Sequence, residues 1–256
     1  MDLHCIRIAF AAACLIAATG VEASDHWAYQ PVTRPSVPSV DNFSWASGEM
    51  DCFILAKLRE NGMRPARRAN RRVLIRRVTL DLTGLPPASG EVDRFVVDDS
   101  PGAYRRVVER LLASPRFGER WGRHWLDLAR YADTKGYLAG NQARLFTHSY
   151  TYRDYVIDAF NADLPYDRFI IQQVAADKLD LGEDKRPLAA MGFLTLGRRF
   201  LNNPHDIIDD RIDVVTRGFM GLTVGCARCH EHKYDPIPMA DYYSLYGVFA
   251  SSHEPG

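Results

Sequence analysis

Apolar residues recur along this chain at the three-and-four spacing of a helix, and nowhere alternate in twos over a useful length. Met50, Phe53, Ile54 and Leu58 give a first stripe, closed by Asn61-Gly62. Val73, Leu74, Val78 and Leu82 give a second, stopped by Gly84, Pro86 and Pro87. Ser89 can cap a short helix bearing Val92, Phe95 and Val96. Ser100-Pro101 and Ser114-Pro115 both read as helix starts with proline in the first helical position. The first helix carries Tyr104, Val107, Val108, Leu111 and Leu112; the second carries Phe117, Trp121, Trp125 and Leu128. Residues 134–149 lose the period and read as a loop. Helical spacing returns at Tyr152, Tyr155, Val156, Ala159 and Phe160, and again at Phe169, Ile170 and Val174 behind a candidate cap at Asp167. Residues 180–187 are polar and turn-like. Ile207, Ile208, Ile212, Val215 and Phe219 predict a further helix ended by Gly221, and a last one runs from about Ala240 to Ala250. The fold class predicted is mainly α: an irregular multi-helix domain with long loops.

Ahead of this domain the pattern changes twice. Residues 24–48 hold Pro31, Pro35, Pro38 and a serine-rich run, which disfavour helix and suit an extended leader. Residues 1–23 place Arg7 before an apolar run, Ile8 to Ala18, that is too short to span a bilayer comfortably. Val21 and Ala23 supply small residues for a cut after Ala23. The expected organisation is a signal peptide over 1–23, a leader over 24–48 and a helical domain over 49–256. The expected address is the periplasm or cell envelope, with no transmembrane segment after signal cleavage. Cys14 invites a lipoprotein reading, but Ala11 stands three residues before it where a leucine is wanted.

Charge excludes little but does exclude something. Lys+Arg and Asp+Glu are 32 each. Losing Arg7, Asp2 and Glu22 with the signal leaves 31 basic against 30 acidic residues. Such a balance gives no reason to expect nucleic acid or an anionic membrane as partner.

The chemistry concentrates in the cysteines. Cys5 and Cys14 leave with the signal, and Cys52, Cys226 and Cys229 remain. Gly225 to His230 reads C-x-x-C-H, the attachment pattern of c-type haem. Two thiols three residues apart on one turn can each add to one haem vinyl group, and His230 then offers the proximal iron ligand from the same side. Covalent attachment of this kind is carried out beyond the cytoplasm, which agrees with the export signal. Other readings of the same residues stand beside it. Cys226 and Cys229 suit a disulfide, and with His230 or His232 they make half a zinc site. A second axial ligand is left open among Met239, His253, His205 and His124, since His232 lies too near His230 in sequence to reach the opposite face.

Two further segments are dense in polar side chains. Glu119 to Asp133 sets Trp121, Trp125 and Leu128 on one helical face, with Arg120, Arg130 and His124 available to a ligand or a haem propionate. The simpler reading is an amphipathic helix whose tryptophans fill the core and whose Arg and Asp side chains pair. Asp206, Asp209, Asp210 and Asp213 read as a solvated helix face rather than a calcium loop. No Ser-His-Asp ordering, phosphate loop or paired-carboxylate signature is present.

Taken together these segments resemble a known family. His26 to Tyr29, Ile75 to Pro87, Leu111 to Pro115, Trp121 to Asp133 and Gly221 to Pro238 are similar, in that order, to the exported cytochrome-associated proteins abundant in planctomycetes. The shared domain is the PSCyt2 or DUF1549 type, a domain of unknown function. The resemblance implies exported, haem-associated, multi-domain chains with a separate cytochrome-like module and a further C-terminal domain, neither of which is read in these residues. Lys135 and Leu138 depart from the acidic residues the family more often has. Three functions follow as expectations. The first is a c-type haem protein for extracytoplasmic electron transfer, partnered by a redox protein or by the family's other modules. The second is a non-haem binding or scaffold domain whose cysteines form a disulfide or hold zinc. The third is a haem enzyme of periplasmic peroxide or polysaccharide metabolism. Whether the chain is an enzyme is left open.

Overall fold

Helices make up most of the computed structural model, which describes residues 26–40, 45–136 and 144–252. The signal-peptide reading of residues 1–23 and the candidate ligand His253 fall outside those residues. Among the described residues there are ten α-helices and no sheet; one antiparallel bridge joins Thr134 to Leu145. The helices are α1 (Glu49–Glu60), α2 (Arg71–Thr83), α3 (Ser89–Val97), α4 (Ala103–Leu112), α5 (Pro115–Leu128), α6 (Ser149–Asn161), α7 (Tyr166–Ala175), α8 (Gly192–Thr195), α9 (Pro204–Met220) and α10 (Met239–Ala250). The fold is mainly α with long connections, as its pattern predicts. No helix among the described residues is long and apolar enough to cross a membrane.

The chain divides into two units, residues 1–68 with 234–236, and residues 69–233 with 237–256. In the first, a 3-10 turn over Trp27–Tyr29 precedes residues 31–40, which hold no regular structure. Its small core is Val40, Cys52 and Leu55, with Trp45, Ala46 and Ala56 against them. Helix α1 therefore buries the Cys52–Leu55 side, and not the stripe its larger apolar residues suggest: Met50 and Ile54 are 76% and 52% exposed.

The second unit has three apolar centres. Ile75, Phe95 and Ala103 join α2, α3 and α4. Trp125, Tyr152, Val156, Phe169, Phe193 and Val214 form the largest, between α5, α6, α7, α8 and α9. Ile208, Ile212, Val224, Ala227, Ile237 and Tyr242 form the third, beneath the cysteine segment.

Local chemistry explains most of the helix boundaries. Asn70 accepts from the Val73 N–H to open α2, and Gly84, at φ 70°, ends it. Ser114 accepts from Arg116 and Pro115 takes the first position of α5. The parallel expectation at Ser100-Pro101 is corrected: Gly102 adopts φ 78° and becomes the cap, so α4 begins at Ala103. Asp167 likewise lies inside the first turn of α7, with Pro165 at the cap position.

The face of α5 is also corrected. Its buried residues are Gly118, Gly122, Trp125 and Leu126, while Trp121 is 39% exposed. The glycines are the cause. A Cβ at Gly118 would lie 2.4 Å from the Ile157 carbonyl oxygen and 2.6 Å from the Asn161 side chain. Only with hydrogen at that position can α5 and α6 close on each other, and the Gly118 N–H then donates to Asn161 Oδ1 at 2.8 Å.

Candidate functional site

Helix α9 ends in a left-handed Gly221, φ 69°, whose neighbour Leu222 donates back to the Thr216 carbonyl at 3.2 Å. The chain then makes one 3-10 turn, Val224–Arg228, with Cys226 N–H on the Thr223 carbonyl at 3.0 Å. Residues three apart eclipse in such a turn. Val224 and Ala227 consequently stack inward, where both are buried, and Cys226 and Cys229 stack outward, where both are exposed. All three described cysteines are free thiols.

Side chains from two helices pin the turn. The Arg228 guanidinium donates to Asp206 Oδ1 of α9 at 3.1 and 3.2 Å, and lies 3.5 Å from Asp209 Oδ2. Hydrogen bonding to Asp206 raises the Arg228 pKa further from neutrality. Asp209 also accepts from the Tyr242 hydroxyl of α10 at 2.7 Å. Burial, and then that carboxylate, hold the Tyr242 phenol well above its ordinary value, so it stays protonated and keeps donating. Tyr243 donates to the Arg228 carbonyl at 3.1 Å.

His230 follows at once. Its Nδ1 lies 2.7 Å from the Glu231 carbonyl oxygen. A carbonyl only accepts, so Nδ1 carries the proton and Nε2 of the neutral ring is left with its lone pair. Glu231 in turn accepts from the Met239 N–H at the start of α10, 2.9 Å, a carboxylate set at the positive end of a helix. His232 donates its N–H to the Ile237 carbonyl (3.0 Å), and its Nε2 meets Thr223 Oγ1 at 2.9 Å.

The other candidate ligands are dispersed. His205, in the first turn of α9, is exposed; its Nδ1 contacts the Tyr246 hydroxyl and its ring stacks on Tyr246 at 6.0 Å. Met239 opens α10 and is partly exposed. Both helices pack against the cysteine turn. His124 is exposed on α5, edge-on to Trp121 at 5.6 Å. No three His, Cys, Asp or Glu side chains gather into a metal-holding group among the described residues.

Two polar segments resolve into ion pairs. The reading of Asp206, Asp209, Asp210 and Asp213 as a solvated face is corrected. Asp206 and Asp209 hold Arg228, Asp213 holds Arg217 at 2.7 Å, and Asp210 holds Arg130 through both of its oxygens. Arg130 also donates to the Phe193 carbonyl at 3.0 Å and sits at φ 51°. A Cβ on Gly197 would meet Asp210 Oδ2 at 2.2 Å, so the pair depends on that glycine. Arg130 is therefore a strut between α5, α8 and α9, committed to protein partners. Arg228, Tyr242 and Tyr243 are the site residues that the pattern alone does not single out. The helical spacing of Asp206, Asp209 and Asp213 was the available signal.

What these elements define is a helical domain carrying an outward-facing dithiol turn with an imidazole beside it. The family model described as PSCyt2, a protein of unknown function (DUF1549), matches residues 49–254 of the chain, and the chain belongs to that family. Neither the curated proteins nor the solved structures compared with it gave a match.

Proposed function

We propose that Cys226, Cys229 and His230 are the attachment site of a c-type haem, and that the chain is an exported redox module. One observation carries this reading: both thiols stand on the outer side of a single turn whose inner side is locked in the core, and the next residue is an imidazole with Nδ1 already committed. The donor set fits the group. Addition across two vinyl bonds needs two reduced thiols facing one way, and the cysteines are free and exposed. An axial histidine needs Nε2 available and Nδ1 held by an acceptor, which raises its basicity and fixes its ring. His230 has both. Bound there, haem supplies a one-electron iron couple.

The surrounding side chains do the rest. Arg228, through Asp206 and Asp209, keeps the turn from unwinding when the thiols react. Exposure of both cysteines leaves room for the attaching enzyme and later for a redox protein at the same face. His205 and Met239 are the described candidates for a second ligand that each start a helix packed on the turn.

The test is expression of the chain behind an export signal, in a host with cytochrome c maturation machinery, followed by reduced-minus-oxidised absorption spectra and iron and zinc analysis. The expected result is a haem c spectrum and about one iron per chain, both lost in Cys226→Ser/Cys229→Ser. A folded protein with zinc and no iron, or with neither metal, overturns the proposal.

A further inference from the structure

Helix α1 turns its larger apolar side chains outward. Met50 and Ile54, one turn apart on the same face, are 76% and 52% exposed, while Cys52 and Leu55 fill the core behind them. Single exposed apolar residues are ordinary, but a contiguous set of them marks a surface made to be covered. The end of the helix continues the set. Gly62, at φ 66°, donates its N–H to the Arg59 carbonyl at 2.9 Å, and Met63 N–H reaches the Leu58 carbonyl at 2.8 Å. This closure folds the chain back beside the last turn of the helix. Met63 is thereby held at the level of Leu58, and it is 53% exposed.

A run of cations follows at once. Residues 61–80 hold seven arginines and no acid, a local excess that the whole-chain balance of 32 against 32 hides. Elsewhere the two signs interleave: Arg105 with Glu109, Arg116 with Glu119, Arg123 with Asp127 and Arg217 with Asp213 pair within a turn. Within the run, Arg71 and Arg72 answer Asp99 and Asp93. Arg64, Arg67 and Arg68 come earlier, in residues 63–70, which hold no regular structure; all three are exposed and belong to the same unit as α1. The acids of α1 are committed locally. Glu49 pairs with Arg34 at 2.9 Å, Glu60 pairs with Lys57 at 2.8 Å, and Asp51 accepts from the Ser47 N–H at 2.7 Å.

An apolar stripe that runs into uninterrupted arginines narrows the choice of partner. A second copy of the chain, related by a two-fold axis, would set these like charges against one another. A soluble anionic polymer would satisfy the arginines and gain nothing from Met50 and Ile54. An anionic bilayer takes both: phosphates accept paired N–H bonds from guanidinium groups, and apolar side chains enter the boundary between headgroups and acyl chains. We propose that this part of the chain docks on an anionic phospholipid surface, with Arg64, Arg67 and Arg68 on the headgroups and Met50, Ile54 and Met63 inserted shallowly. With 12 residues, α1 is too short to span a bilayer, so the attachment is peripheral and reversible. The proposal rests on the first unit and is independent of the haem reading.

The test is flotation of the exported, processed chain with phosphatidylcholine vesicles, with and without phosphatidylglycerol at about one lipid in three, in about 0.1 M salt. Binding to the anionic vesicles and not to the neutral ones is expected, weakening as salt is raised. Arg64→Gln/Arg67→Gln/Arg68→Gln should weaken it about a hundredfold. Met50→Gln/Ile54→Gln, which keeps the helix propensity of both positions, should weaken it about tenfold. Circular dichroism checks that each variant folds, and the comparison of the two lipids needs no variant. No binding by the unmodified chain, or equal binding to both vesicles, overturns the proposal. So does loss in the arginine variant with none in the Met50/Ile54 variant, the mark of a soluble polyanion site. Dimerisation without vesicles that Met50→Gln/Ile54→Gln abolishes overturns it too, because a second copy then covers the stripe.

Discussion

Arg228 and Asp206, 22 residues apart in sequence, meet through both terminal guanidinium nitrogens, at 3.1 and 3.2 Å. The contact joins one of the two residues between the cysteines to the first turn of α9. It makes the orientation of the thiols a property of the helix packing, and not of the short turn alone.

The pair is more than a third exposed, so its worth to global stability is small. Arg228→Ala is expected to cost less than about 1 kcal/mol in chemical denaturation. Amide exchange over residues 224–229 should nonetheless speed up, because the turn loses its anchor on α9. Unchanged exchange there would mean that Val224 and Ala227 hold the turn unaided.

Two glycine substitutions should have opposite signs. Gly118→Ala drives a methyl group into the Ile157 carbonyl and the Asn161 side chain, and overpacking of this kind costs about 1–3 kcal/mol. Gly247→Ala, in the middle of α10 with nothing within 4 Å of the new methyl, should stabilise by about 1 kcal/mol. Denaturant midpoints of the two variants check both.

Tyr152 is buried at the centre of the largest core, accepting from Trp125 Nε1 at 3.0 Å and donating to Gln173 Oε1 at 2.7 Å. Tyr152→Phe keeps the ring and strips a partner from each neighbour, so a loss of roughly 2 kcal/mol or more is expected. A loss no larger than that of an exposed Tyr→Phe change would show that the two groups find other partners.

Asp98 is one of the carboxyls that contribute to the acid limb of stability. The Ser100 hydroxyl, then Arg106, hold its carboxyl down to about 2 from an ordinary 3.8. The folded value lies below the unfolded one, so its contribution is complete above about pH 4 and disappears as pH falls toward 2. Asp98→Asn should flatten stability across that window by lowering it at neutral pH and leaving it nearly unchanged near pH 2, as read by thermal unfolding against pH.

Most of the helices were legible because spacing, caps and stops agreed in the sequence: Ser114-Pro115 opens α5, and Gly84 and Gly221 close α2 and α9. The faces of α1 and α5 were not. A stripe drawn through large apolar residues ignores Cys52, Gly118 and Gly122, and it is the small residues that allow close approach. Helix α8 and the 3-10 segment before it, Arg186–Met191, are too short to leave a period. At the site, Cys226, Cys229 and His230 were visible as neighbours in the chain. The Asp206 and Asp209 grip on Arg228, and the place of Tyr242 within it, depend on α9 and α10 folding back, which no local pattern encodes.

The haem proposal is tested most directly by intact mass spectrometry of the exported chain under denaturing conditions. One haem added to the mass of the unmodified chain, and absent from Cys226→Ser/Cys229→Ser, is the result expected. A chain from a cytochrome-maturing host that carries no added mass, with both thiols open to alkylation, would contradict it.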